Sequence, residues 1–164
     1  MAAQLDAERF DDLCEGLARR YQIVRSVDSQ EFPDGTKSAG YEFVHPLYRE
    51  VLYHHLSPRR SARIHLRVAE RLEALYASRP SDVAPELAQH FEQGGDWLRA
   101  IKYLQLAADT AGRRFEPRQA ADILQHSLKL VKKLPVGERA EHEVTILDGL
   151  AKIYVAWVRE ATGT

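Results

Sequence analysis

A single cysteine, Cys14, stands in a chain of 164 residues, so neither a disulfide framework nor a cysteine-based metal site can be built from this sequence. Its setting beside Leu13 and Leu17, on a helical apolar pattern, fits a buried reduced thiol in the cytoplasm. Long apolar runs are missing too. None approaches the ~20 residues of a membrane span, and MAAQLDAERFDDL has neither the basic start nor the apolar stretch of a secretion signal. The expectation is a cytoplasmic chain with no membrane partner. Nor does either charge dominate: 23 basic side chains face 24 acidic ones, for a net charge of -1. That balance leaves no electrostatic footprint for a dedicated nucleic-acid binder.

Catalytic motifs are equally scarce. GTKS, at residues 35–38, has a superficial likeness to a phosphate loop, but that loop needs glycine directly before the lysine and another five residues earlier. Thr36 and Glu31 stand there, and a proline-containing turn offers no cradle of backbone amides. The seven histidines include no pair four residues apart, the spacing that puts two metal ligands on one helix face. A helix turns the adjacent His54 and His55 about 100° apart. His45 reads as a helix-entry residue, while His65, His90, His126 and His142 fall singly on separate helices. Without a nucleophile elbow or an oxyanion-hole glycine run, no catalytic, metal or cofactor-binding residue is assigned.

What is present is mostly helical periodicity. Phe10, Leu13, Cys14 and Leu17 form one apolar face from about residue 6 to 20. Branched and aromatic residues at 23–27 and 41–44 flank Pro33-Asp34-Gly35, a hairpin signal with Gly35 at the position that needs positive φ. Pro46 opens a helix to about Leu56, with Leu47, Val51 and Leu52 expected to face inward. Ser57 caps the next, on which Ile64, Val68, Leu72 and Leu75 form a stripe and Arg59, Arg60, Arg63, Arg67 and Arg71 a solvated polar face. Two prolines between Ala77 and Pro85 mark the clearest boundary. The chain divides near Pro80 into segments 1–80 and 81–164.

The second segment carries a register. Ala88, Phe91, Gly95, Trp97, Ala100, Leu104 and Ala107 alternate small and bulky residues around a glycine turn, and Ala108, Ala111, Phe115, Pro117, Ala120, Leu124 and Ser127 lay the register down again. This resembles tetratricopeptide-type helical hairpins, in which each helix serves two neighbours. A last helix, about 138–157, would cover the stack through Val144, Leu147, Leu150, Ala151 and Tyr154. Two overlapping matches leave one repeat end exposed, an opening for self-association.

The succession CEGLARRYQIVRS, EFPDGT, YEFVHPLYREVLYHHLSPRRSARIHLRVAERLE and ELAQHFEQGGDWLRAIKYLQLAADTAGRRFEPRQAADIL is similar to the region downstream of the nucleotide-binding domain in large bacterial STAND-type ATPases. Those are signalling and transcriptional regulators, also described as AAA ATPases. The resemblance implies a mainly α fold: a partial winged-helix segment with one β-hairpin, then a tetratricopeptide-like array. It implies a non-catalytic relay and protein-interaction arm that acts on the nucleotide-binding module or another protein. ATP and Mg²⁺ are implied for the parent protein only. Gln89, Gln93, Arg99 and Tyr103 fall outside the packing register and are the candidate partner-binding residues. DNA binding by the winged-helix segment is the alternative, with Arg19, Arg20, Arg25 and Lys37 on phosphates. Asp6, Glu8, Asp11, Asp12, Asp28, Glu31 and Asp34 answer those charges. A free-standing tetratricopeptide-like adaptor is a further alternative.

Overall fold

A computed structural model describes the backbone of residues 2–162 and the side chains of residues 9–159. The side chains of Asp6 and Glu8, and Gly163 and Thr164 of the closing VREATGT, lie outside the described residues. The fold is mainly helical, with seven α-helices and one two-stranded antiparallel hairpin among the described residues. The chain forms two compact units, Met1–Ser61 and Ala62–Thr164, so that Pro80 lies inside the second.

In the first unit, α1 (Ala2–Gly16) loosens into a single π turn over Leu17–Tyr21. Gln22 ends it at φ 52, its amide donating to the Leu17 carbonyl. Strands β1 (Val24–Glu31) and β2 (Lys37–Phe43) run longer than the branched residues suggested. Their turn is closed by the Phe32 amide on the Thr36 carbonyl at 2.8 Å. The Asp34 carboxylate accepts from both the amide and the hydroxyl of Thr36, each at 2.8 Å, and Gly35 takes φ +81. Asp34 thereby holds the turn, the usual work of an aspartate there. Between Val27 and Gln30 the register slips. A Cβ on Gly40, paired there with Val27, would stand 2.6 Å from the Val27 side chain and 2.9 Å from the Asp28 carbonyl. Only glycine admits that approach.

Helix α2 (Pro46–His54) starts as its sequence suggests, Pro46 in the first turn and His45 Nδ1 accepting from the Leu47 amide at 3.2 Å. Its apolar residues do not face inward, however. Leu47, Val51 and Leu52 are each more than half exposed, as are Phe10 and Leu13 of α1. Cys14 and Val24 are the buried residues among those described in this unit. A nine-residue helix beside one ribbon has too little surface to cover such a stripe.

The second unit holds most of α3 (Pro58–Leu75), a 3₁₀ turn at Pro80–Val83, then α4 (Ala84–Gly94), α5 (Trp97–Arg113), α6 (Pro117–Val131) and α7 (Val136–Thr162). Each helix after α3 packs on the next. Phe91, Leu87, Ile101 and Leu130 are fully buried, and Ala88, Ala100, Ala107 and Ala120 let the backbones approach. The small-residue register is therefore seen as packing. Gly95 and Phe115, twenty residues apart, both take left-handed φ, +82 and +60. The amides of Gly95 and Asp96 donate to Glu92 and Phe91; those of Phe115 and Glu116 donate to Gly112 and Ala111. One turn geometry thus recurs, closing two helices by the same pair of backbone bonds. Phe115 occupies the glycine position of its turn and is 88% exposed.

On α3 the expected stripe packs in its second half: Leu75 is buried and Leu72 lies against the core, joined by Ala69, Leu66 and the following Tyr76, whereas Ile64 and Val68 are exposed. Leu66 sits where a Cβ on Gly94 would be, 2.6 Å away, so the glycine admits α3 against α4. On α7 the inward residues are Ile146 and Leu150; Val144, Leu147, Ala151 and Tyr154, expected to cover the stack, point outward.

Candidate functional site

The packing of α4, α5 and α6 leaves a groove of about 250 Å³ in the second unit. Its walls are Ala88, Gln89 and Glu92 of α4 and Ile123 and His126 of α6, over a floor of Leu104 and Ala107 from α5. Ala107 gives it depth, since a larger side chain there would fill it. Across the walls, Glu92 Oε2 and His126 Nε2 meet at 2.7 Å. The pair is part-exposed, so either partner can turn to a ligand without leaving a buried charge behind. Apolar floor and polar rim together suit an extended or helical segment of another protein.

The four candidate partner-binding residues are placed differently from one another. Gln89 lines the groove and is exposed; Gln93 is exposed on α4. Arg99 is held internally. Its guanidinium lies 4.2 Å over the Phe91 ring and bonds Asp96 at 2.7 Å, with Glu70 and Glu73 of α3 at 3.3 and 3.4 Å. Tyr103 is not on the surface: it is 2% exposed, stacked on Phe91 at 5.6 Å, and its hydroxyl donates to Glu73. Burial first, and then the Glu73 carboxylate, raise the Tyr103 pKa well above its ordinary value. Arg99 and Tyr103 therefore fasten α5 to α3 through a part-exposed network of ion pairs and hydrogen bonds. Neither lines the groove.

Glu92 and His126 are the groove residues that sequence reasoning missed. They lie 34 positions apart, and no local pattern joins them.

Of the four candidate phosphate contacts, three carry acids. Arg19 pairs with Glu15 at 2.9 Å, Lys37 with Glu31 at 3.5 Å, and Arg25 with Glu42. Arg20 lies 5.6 Å over the Tyr21 ring. By contrast Arg60, Arg63, Arg67 and Arg71 are exposed on one face of α3, with no ion pair among the described residues.

A pair of histidines joins α3 to α4. His65 Nδ1 and His90 Nδ1 meet at 2.8 Å, so one ring donates and the other accepts. Burial lowers the pKa of both. The His90 charge adds to this at His65, while Glu86 partly opposes it at His90. No group of three or more His, Cys, Asp or Glu side chains among the described residues is placed to hold a metal ion. No helix among them is long and apolar enough to cross a membrane. Comparison with protein-family models, curated proteins and solved structures finds no match to this chain.

Proposed function

We propose that the chain is the non-catalytic regulatory and protein-interaction arm of a STAND-type signalling ATPase, a partial winged-helix segment followed by tetratricopeptide-like hairpins, working in the cytoplasm. The observation that carries this reading is the α4–α6 groove, with its apolar floor and the Glu92–His126 pair across its walls. The turn repeated at Gly95 and Phe115 supports the repeat character. A partner segment seated on Ala88, Leu104 and Ile123 gains apolar burial, and Gln89, Glu92 and His126 fix its direction. Because Arg99 and Tyr103 tie the groove's floor helix to Glu70 and Glu73 of α3, load on the groove reaches α3 through packed, hydrogen-bonded contacts. Such coupling regulates only if both sites bias one two-state element.

The test compares the native chain with Gln89→Trp, an exposed change that fills the groove without entering the core. Each is used as bait for the nucleotide-binding module that this reading assigns to the parent protein, expressed separately. Binding that the substitution abolishes supports the reading; binding indifferent to it, or none by the native chain, refutes it.

One observation favours a second reading, DNA binding by α3 in place of the hairpin. Arg60, Arg63, Arg67 and Arg71, with no ion pair among the described residues, would give log K against log salt a slope of roughly -3.6 if each met a phosphate. Anisotropy of a labelled duplex measures that slope, and a flat line dismisses DNA.

A further inference from the structure

Helix α7 is apolar on two sides. Ile146, Leu150 and Ile153 pack on the core beside Gly149, whose Cβ position lies 3.1 Å from Leu124 of α6. On a neighbouring, outward side, Ala140, Val144, Leu147, Ala151, Tyr154 and Val158 recur at spacings of four, three, four, three and four, and all six are exposed. That alternation is the seam of a two-stranded coiled coil, about 27 Å long at helical rise. It is continuous, with no charge inside it.

We propose that a second copy of this chain covers the seam, its α7 running antiparallel. Three features select that occupant and that direction. First, antiparallel pairing centred on Gly149 sets Ala140 across from the partner's Val158, Val144 across from the partner's Tyr154, and Leu147 across from the partner's Ala151. Each layer joins a larger side chain to a smaller one, which lets a seam pack at even density. Parallel pairing would set Ala140 on Ala140 and Tyr154 on Tyr154, leaving gaps beside crowded layers. Second, the charges along one edge of the seam are sorted by end: Glu141 and Asp148 precede Gly149, and Lys152 and Arg159 follow it. Antiparallel copies bring the acidic half of each onto the basic half of the other; parallel copies bring like to like. Third, Asp148 and Lys152 already pair within one helix at 2.6 Å. At the centre of the antiparallel pair, two such ion pairs meet as a four-charge cluster. Gln125 donates to the Tyr154 hydroxyl at 3.0 Å and leaves the rest of that ring, 40% of the residue's surface, open to the partner.

The test uses the full chain. Sedimentation equilibrium at roughly 100 µM, ample for an association of micromolar Kd, should return twice the 18.7 kDa chain mass. Leu147→Glu, at a half-exposed position, should return the monomer mass with an unchanged helical circular-dichroism spectrum. Direction is read by disulfide trapping in a Cys14→Ala background. Val144→Cys mixed with Tyr154→Cys should form the mixed dimer in large excess over either self-dimer. A native chain that stays monomeric at every concentration, a dimer that survives Leu147→Glu, or self-dimers that match the mixed one would each overturn the proposal.

Discussion

The two units have apolar residues in comparable supply and use them in opposite ways. In the second, Phe91, Leu87 and Ile101 are sealed by helices on either side; in the first, Leu47, Val51 and Leu52 line a helix and stay more than half exposed. What separates them is the spacing of small residues. Ala88, Ala100, Ala107 and Ala120 fall where helix axes cross, so backbones close to contact and large side chains fill the gaps between. The stretch from Leu47 to Leu56 has no alanine or glycine with which to admit a neighbour.

Truncation should expose that difference most strongly. Phe91→Ala removes a ring stacked on Tyr103 and under Arg99, and should cost about 3–5 kcal/mol in denaturant unfolding. Leu47→Ala, at a residue 58% exposed, should stay within about 0.5 kcal/mol. Similar costs at both positions would mean that α2 has a buried face after all, and the contrast between the units would fail.

The same contrast explains what could be read from the chain alone. The 81–164 register was legible because alanine and glycine positions report helix contacts directly. The hairpin was legible because turn chemistry is local, as the Asp34 bonds to Thr36 show. Its length was not: Asp28 to Glu31 and Lys37 to Ala39 are exposed on a ribbon wet on both sides, so no alternation marks them. On α3 the periodicity placed Leu72 and Leu75 correctly, but the packed face also takes in Leu66 and Ala69 and leaves Ile64 and Val68 outside. Tyr103 looked like a surface tyrosine because its acceptor, Glu73, is 30 residues away. The Glu92–His126 contact hid for the same reason. Periodicity names a face; it does not name the residue across the gap.

Within the well-packed unit, acid should find the weak place. His65 and His90 share one hydrogen bond, and burial lowers both pKa values from 6.5. Below that value the unfolded chain takes up protons that the folded pair resists, so stability falls as pH falls. No acid need be buried for this to occur. Glu86 lies near enough to His90 to soften the effect, not to reverse its sign. The melting temperature should drop from pH 7.5 to pH 5.5, by less than Phe91→Ala lowers it. His90→Gln, which has no proton to gain, should flatten that profile. An equal drop in the variant would place the acid sensitivity elsewhere.

The smallest effect lies between the two turns that share a geometry. At Gly95 a Cβ would meet nothing within 4 Å, so Gly95→Ala is opposed only by its φ of +82. At Phe115 the same left-handed backbone is held by a bulky residue whose side chain, 88% exposed, gains almost no packing in return. Left-handed φ costs a side-chain-bearing residue about 1 kcal/mol, partly offset by the greater freedom glycine has when unfolded. Phe115→Gly should therefore stabilise the second unit by somewhat under about 1 kcal/mol, and Gly95→Ala should destabilise it by about the same amount. Chemical denaturation of the two variants, run beside the parent, checks both signs at once. If Phe115→Gly were neutral or destabilising while Gly95→Ala behaved as expected, the ring at position 115 would be contributing contacts in solution that compensate its backbone. The most direct source of such contacts would be another molecule, since its own chain leaves the ring uncovered.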